Sequence, residues 1–181
     1  MLERVVRILR QVVSPIVIVT SSNSPVPPMP DHVLVTQDRK PDQGPLEGIR
    51  MGLQAVSSVA DAAYVTGCDV PLLVPDFIQT LIDQLQQTDV AVASEDGFLH
   101  PLAAVYRTSL IDQIDQLLSQ QRNRPLFLYD QVATTAVPSD LLKTVDPGLR
   151  SLANLNEPDD YFAALTEAGL PIEDEIRNRL S

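Results

Sequence analysis

Apolar residues recur along the chain in two alternating patterns, helical stripes and short β-branched runs, and this alternation sets the expected fold. Leu2, Val5, Val6, Leu9 and Val12 repeat at helical spacing, and residues 15–20, Pro-Ile-Val-Ile-Val-Thr, follow as a compact strand. Residues 21–30 read as a Ser/Pro loop, residues 32–36 as a second short strand and residues 37–44 as a polar loop. Pro45 suits the first turn of a helix carrying Leu46, Ile49, Leu53 and Val56 on one face. Residues 62–66 predict a third strand, and Pro75 opens a helix with Phe77, Ile78, Leu81, Ile82 and Leu85 apolar. Residues 89–93 read as a strand, Glu95-Asp96-Gly97 as a turn and residues 102–106 as the returning strand, an antiparallel excursion. A helix over residues 108–120 turns Leu110, Ile111, Ile114, Leu117 and Leu118 inward. The pattern weakens through residues 122–137, resumes as a short strand at Thr144 and Val145, and closes with helices from Glu157 and Ile172.

Strands that are continuously apolar and separated by helices are buried on both faces, so the expected fold is a three-layer α/β/α sandwich with a mainly parallel sheet. The 181 residues, 44% of them apolar, suffice for one domain spanning residues 1–181. With 24 acids against 13 bases the net charge is −11, which repels nucleic acid and anionic membrane surfaces; neither is an expected partner. A phosphate-bearing ligand must then be met by a divalent cation, backbone N–H groups or a few placed bases. The single cysteine, Cys68, excludes an internal disulfide and a multi-cysteine zinc site, and is expected to pack in the core. The apolar stretches at residues 12–19 and 62–74 are too short or too interrupted to span a bilayer, so the expected location is the cytoplasm.

Few residues carry chemistry. Asp69 ends the apolar run of the third strand, where open α/β sheets place ligands, and its carboxylate suits a metal held against phosphates; the alternative is an Asp capping the turn before Pro71. Gly44 and Gly48 bracket a helix start, where N–H groups and the helix dipole receive anions, although an ordinary loop-to-helix junction has the same composition. Asp38 lies in the loop before them and reads as either a ligand contact or a solvated acid. His100, before Pro101, can donate to a phosphate or serve as a hydrogen-bonded structural histidine. Asn154 and Asn156 alternate along an extended segment and point the same way, while Asn156 alone would cap the helix from Glu157. Arg107, Arg122 and Arg124 are candidates to hold an acceptor phosphate.

Gly44-Pro45-Leu46-Glu47-Gly48-Ile49, Gly67-Cys68-Asp69-Val70-Pro71, His100-Pro101-Leu102-Ala103 and Asn154-Leu155-Asn156-Glu157-Pro158-Asp159-Asp160 resemble, in order and spacing, the signatures of molybdenum cofactor guanylyltransferases. The resemblance, over about residues 1–164, implies a Rossmann-like nucleotidyltransferase fold and transfer of GMP from GTP to molybdopterin with release of pyrophosphate. It implies Mg2+ at Asp69 as the catalytic metal aspartate. Thr20, Asp38, Gly44 and Gly48 would lie near the nucleotide, and His100, Asn154 and Asn156 near the acceptor. Thr20 departs from the family, which has an asparagine there. A molybdoenzyme or its chaperone would be a further partner. Two other readings stay open: a nucleotidyltransferase using CTP or a sugar or alcohol phosphate acceptor, and a non-catalytic GTP-binding pseudoenzyme or scaffold.

The same resemblance implies a strand and a glycine-rich loop, Leu-Ala-Gly-Gly followed by basic residues, Arg-Met-Gly and a Lys, ahead of the first helix. Here Met1-Leu2-Glu3-Arg4 already reads as that helix. The sheet is therefore expected to lack its first strand and to carry a slot or exposed strand edges. An internal methionine of a longer reading frame is the expected origin of Met1, with a real truncation as the alternative.

Overall fold

The computed structural model describes residues 1–21, 26–30, 32–38 and 44–153. The helices expected from Glu157 and Ile172, together with Asn154 and Asn156, lie outside them. Helix α1 (Leu2–Leu9) leads into β1 (Ile16–Thr20), which pairs in parallel with β2 (Val33–Gln37), Ile16 opposite Val33 and Thr20 opposite Gln37. After α2 (Pro45–Val56) comes β3 (Ala62–Thr66), and after α3 (Pro75–Leu85) the hairpin of β4 (Val90–Glu95) and β5 (Phe98–Arg107). Helix α4 (Ile111–Ser119), a single turn α5 (Leu126–Tyr129), β6 (Thr134–Pro138) and a single turn α6 (Ser139–Leu142) complete the described chain. A second sheet has the order β3-β5-β4-β6, with β5 antiparallel to both its neighbours and β6 parallel to β4. Strands β3, β4 and β6 thus run one way, the β2-α2-β3 crossover turns β1 and β2 to match, and only β5 is reversed.

The faces explain the apolar runs. Val90 and Val92 of β4, with Ala104 and Tyr106 of β5, pack under Leu46, Ile49 and Leu53 of α2 and Ile114 and Leu117 of α4. The alternate residues Ala91, Ala93, Ala103 and Val105 meet Phe77, Leu81 and Leu85 of α3 on the other face. Val5, Val6 and Leu9 of α1 pack with Ile16, Val33 and Ile78, tying the first strand pair to α3. Central strands covered on both faces have no polar side to show, which is why the sequence there does not alternate. Between α2 and α4, Arg50 grips both oxygens of Asp115, Nε to Oδ1 at 2.9 Å and Nη2 to Oδ2 at 3.0 Å.

The excursion turns at Asp96 (φ 49°) and Gly97 (φ 84°), a two-residue Asp-Gly turn whose positive φ values match the twist of a hairpin. The register then shifts: Val92 faces Ala104, yet Ala93 faces His100, so Pro101, Leu102 and Ala103 bulge from the ladder. Tyr106 braces this bulge, its hydroxyl 2.9 Å from the Pro101 carbonyl and 2.6 Å from the Tyr129 hydroxyl. A carbonyl only accepts, so Tyr106 donates to Pro101 and Tyr129 donates to Tyr106. Burial pushes the Tyr129 hydroxyl up to about 12 and that of Tyr106 well above its ordinary range, so both stay protonated as this chain of donors requires.

Two expectations fail. The last strand is not at Thr144 and Val145, which lie in a turn where Thr144 Oγ1 donates to the Leu141 carbonyl at 2.6 Å and the Val145 N–H donates to that of Leu142 at 3.2 Å. The strand is β6, inside the stretch whose pattern is weakest, because an edge strand with one buried residue, Val137, and a terminal Pro138 carries little periodic signal. Cys68 is exposed rather than packed in the core, since it sits in the turn beyond β3.

Tyr106→Phe keeps the ring but leaves the Pro101 carbonyl and the Tyr129 hydroxyl without their shared partner. The expected loss is about 1–3 kcal/mol in urea denaturation with an unchanged m value, and a smaller loss would show that water replaces the brace.

Candidate active site

The chemistry-bearing residues gather at the carboxyl edge of the strands. Asp38 follows β2 directly, its N–H donating to the Thr20 carbonyl at 3.0 Å, and Gly67, Cys68 and Asp69 follow β3. Ala103 is opposite Thr66, so the antiparallel β5 carries Leu102, Pro101 and His100 past the end of β3 onto the same edge. A cavity of about 320 Å³ opens here and runs down between β1 and β3, with Asp38, Gly44, Gly48, Thr66 and Leu102 around its carboxyl end. In open α/β sheets this edge, at the point where strand order reverses, is where ligands bind.

Asp38 is the strained member. Its Oδ1 is shut off from solvent with no hydrogen-bond partner among the described residues, and desolvation raises its carboxyl above the usual range. A methyl at Gly48 would lie 3.9 Å from this oxygen, so the glycine keeps the wall beside it low. A buried acceptor without a donor costs free energy, and ligand hydroxyl or N–H groups would relieve it.

Gly44 caps α2 with φ 72° and ψ −175°, and a Cβ there would stand 3.5 Å from the Asn123 carbonyl. The positive φ suits glycine, and Pro45 at the first helical position continues the turn. The N-terminal amides of this three-turn helix thus open beside Asp38, an arrangement fit for an anion. Asn123 brings the loop of Arg122 and Arg124 against Gly44, while the Arg122 guanidinium stacks 4.4 Å over Phe127. Arg107 is at the far edge of the sheet, donating to the Thr88 carbonyl at 2.8 Å and that of Gln86 at 2.6 Å, so it is not a phosphate contact.

Asp69 folds its carboxylate back onto Gly67, so closely that a Cβ at position 67 would collide with Asp69 Oδ1. Gly67 is therefore what lets the carboxylate take this position, a role hidden in the sequence by its neighbours in the same motif. Among the described residues no group of three His, Cys, Asp or Glu side chains forms a metal cage. A lone carboxylate at a strand end still fits magnesium, which retains waters and takes substrate phosphates in place of protein ligands. His100 turns its Nε2 inward, without a hydrogen-bond partner among the described residues, 3.9 Å from Glu95 Oε2. Thr20 ends β1 at the same edge with its hydroxyl donating to the Ser21 carbonyl at 3.2 Å, outside the cavity lining. The cavity thus brings together Asp38, Gly44 and Gly48, whereas Asp69, His100 and Thr20 are not among the residues that line it. Sequence reasoning missed Gly67, the Tyr106–Tyr129 brace behind His100, and Leu102; only the bulge-forming Pro101 hinted at the last two.

Comparison with known proteins agrees with this architecture. The family described as "MobA-like NTP transferase domain" matches residues 1–134. A Mycobacterium tuberculosis protein named "Probable molybdenum cofactor guanylyltransferase" is 34% identical over 158 residues, 86% of this chain and 74% of that protein. A Mycobacterium avium protein of the same name is 34% identical over 165 residues, 90% of this chain and 79% of that protein. Among solved structures, molybdopterin-guanine dinucleotide biosynthesis protein A from Archaeoglobus fulgidus superposes with TM-score 0.64 at 22% identity, covering 75% of this chain and 68% of that one. The 2-C-methyl-D-erythritol 4-phosphate cytidylyltransferase of Thermus thermophilus gives TM-score 0.67 at 12% identity, covering 93% and 88%, a likeness of fold. With residues 1–134 matched by the family model and relatives 34% identical over most of its length, the chain belongs to the MobA-like NTP transferase domain family, a family of nucleotidyltransferases.

Proposed function

We propose that the site performs guanylyl transfer, joining GMP from GTP to molybdopterin and releasing pyrophosphate. The observation that supports it most is the convergence of a donor-seeking Asp38, the open N-terminus of α2 at Gly44 and the Gly67-seated Asp69 on one edge of the sheet. Relatives at 34% identity carry the guanylyltransferase name. In the reaction an oxygen of the acceptor phosphate attacks the α-phosphorus of GTP; that P–O bond forms as the bond to the bridging α–β oxygen breaks. Asp38 accepts hydrogen bonds from the nucleoside part of GTP, and the α2 amides receive phosphate oxygens. His100, on its bulge, with Asn154 and Asn156, meets the acceptor. Magnesium at Asp69 would neutralise charge building on the phosphoryl oxygens. The lone, exposed Cys68 suits a reducing compartment, so we place the reaction in the cytoplasm, with a molybdoenzyme or its chaperone as the recipient of the product. No described helix is long and apolar enough to cross a membrane.

The test is pyrophosphate release from GTP with molybdopterin and magnesium, beside calorimetric GTP binding. Asp69→Asn is expected to lower turnover at least about 100-fold. Gly67→Ala should do nearly the same with stability within about 1 kcal/mol of the parent, because the added methyl displaces a side chain rather than backbone. Turnover unaffected by either change would refute the assignment of Asp69. Binding of GTP with no pyrophosphate release would favour a binding protein, and release with CTP but not GTP a different nucleotidyltransferase.

Asp38 gives a prediction with a sign. Its folded pKa is raised, so the native state holds the proton more tightly than the unfolded chain, and ionisation costs stability as pH rises through the folded pKa. Asp38→Asn should therefore melt at a higher temperature than the parent at pH 7, with the gain shrinking below pH 4, while GTP binding weakens. Loss of stability at pH 7 would show that the carboxylate has a native partner.

A further inference from the structure

The Asp146 side chain is wholly closed to solvent, and no step of the chemistry above uses it. Its Oδ2 accepts the Ser151 N–H at 2.8 Å, and its carbonyl accepts the Leu149 N–H at 2.9 Å. Its Oδ1 has no hydrogen-bond partner among the described residues, with Arg150 Nε 3.9 Å away. Burying a carboxylate is costly unless its hydrogen bonds accomplish something, and here they shape residues 146–153. These fold into tight turns, with Leu149 in the left-handed region (φ 46°) and the Ala153 N–H donating to the Arg150 carbonyl at 3.1 Å.

This turn is fastened to the loop that carries Asp69. Ser151 is buried, and its hydroxyl oxygen accepts the Val74 N–H at 3.0 Å. Val74 is the N-cap of α3, where backbone N–H groups have no acceptor within the helix, so the serine oxygen supplies one from outside. Between Asp69 and Val74 the chain closes on itself, the Leu73 N–H donating to the Val70 carbonyl at 3.3 Å. Leu149 and Leu152 pack into the core beside Phe77 and Leu81 of α3. From the other side Arg4 Nε donates to the Pro71 carbonyl at 2.6 Å, so α1 and residues 146–153 hold the Asp69 loop between them. Asn154 follows Ala153 directly.

We propose that Asp146 and Ser151 are positioning residues, which set Asn154 and Asn156 against the Asp69 loop. The carboxylate shapes the turn, and the hydroxyl fixes it to Val74. This rests on the reading above that the asparagine pair meets the acceptor; neither Asp146 nor Ser151 touches substrate. The Ser151–Val74 hydrogen bond is a short route between groups that β4, β5, α4 and β6 separate along the chain. Packing of Leu149 and Leu152 alone holds the segment down without fixing its register, whereas a directional N–H···O bond does. Transfer needs the acceptor oxygen aligned with the α-phosphorus, so a small displacement of the asparagines costs rate far more than stability.

The single cysteine, Cys68, is exposed and adjoins Asp69, so a nitroxide attached there broadens the amide signals of nearby residues without need of metal or turnover. In the 15N-labelled 181-residue protein the amides of Asn154 and Asn156 are expected to broaden together with that of Gly67. Ser151→Ala should restore the two asparagine signals and leave Gly67 broadened, while Ser151→Thr, which keeps the hydroxyl, should match the parent. Asp146→Ala should repeat the result of Ser151→Ala; if it fails to fold, Ser151→Ala, the loss of one hydroxyl, carries the test. In turnover with GTP and molybdopterin, Ser151→Ala is expected to raise the acceptor KM at least about tenfold, with GTP affinity unchanged in calorimetry. Asparagine signals unbroadened in the parent, or still broadened in Ser151→Ala, would overturn the proposal. So would an unchanged acceptor KM beside a lowered melting temperature, which marks a purely structural contact. A parent that shows the expected broadening but releases no pyrophosphate would remove the guanylyl-transfer reading instead and leave the placement of the segment standing.

Discussion

Helices laid across a break in the sheet hold this molecule in one piece. Among the described residues no ladder joins β1 to β3, yet α2 covers both on one face, and on the other α1 packs with β1, β2 and the start of α3. Leu46, Ile49 and Leu53 point from α2 to the larger sheet, while Gly48 and Gly52 of the same helix turn to the cavity beside β1. With Gly48 and Gly52 beside Ile49 and Val56, α2 lines the cavity with small residues among large ones while its Leu46 and Leu53 stay in the core of the larger sheet. Everything at the carboxyl edge inherits its position from this arrangement, because α2 begins there.

The site is accordingly assembled from pieces that different elements carry to one edge. Parallel strands end together, so Asp38 after β2 and Asp69 after β3 arrive at the same edge without any local sequence relation. β5 arrives from the opposite direction, and its bulge, braced by Tyr106 and Tyr129, presents His100 there as well. Two strained features accompany them, the left-handed backbone of Gly44 and the unpaired oxygen of Asp38. Unsatisfied groups at a cavity mouth are where a fold gives up stability to be ready for a ligand.

Much of this was legible in the sequence. The helices from Leu2, Pro45 and Pro75, the strands read at residues 15–20, 32–36 and 62–66, and the Asp-Gly hairpin followed from periodicity and turn chemistry, since buried strands and amphipathic helices write themselves into residue spacing. What could not be read were features that depend on a distant partner. β6 owes its strand to β4 rather than to its own pattern, Cys68 owes its exposure to the turn beyond β3, and the collision of a residue-67 side chain with Asp69 exists only in three dimensions. Arg107 was misread for the same reason: its proximity in sequence to the loop at residues 122–124 hid that β5 carries it to the opposite edge.

We place one nucleotide site at the carboxyl edge, between the start of α2 and the end of β3. Titrating GTP with magnesium into the 15N-labelled chain and following backbone amide shifts tests it most directly. The largest shifts are expected to cluster at Gly44, Gly48, Gly67 and Asp69 and to weaken when magnesium is withheld. Shifts centred elsewhere, for instance around β6 and α6, or none at saturating GTP, would contradict it.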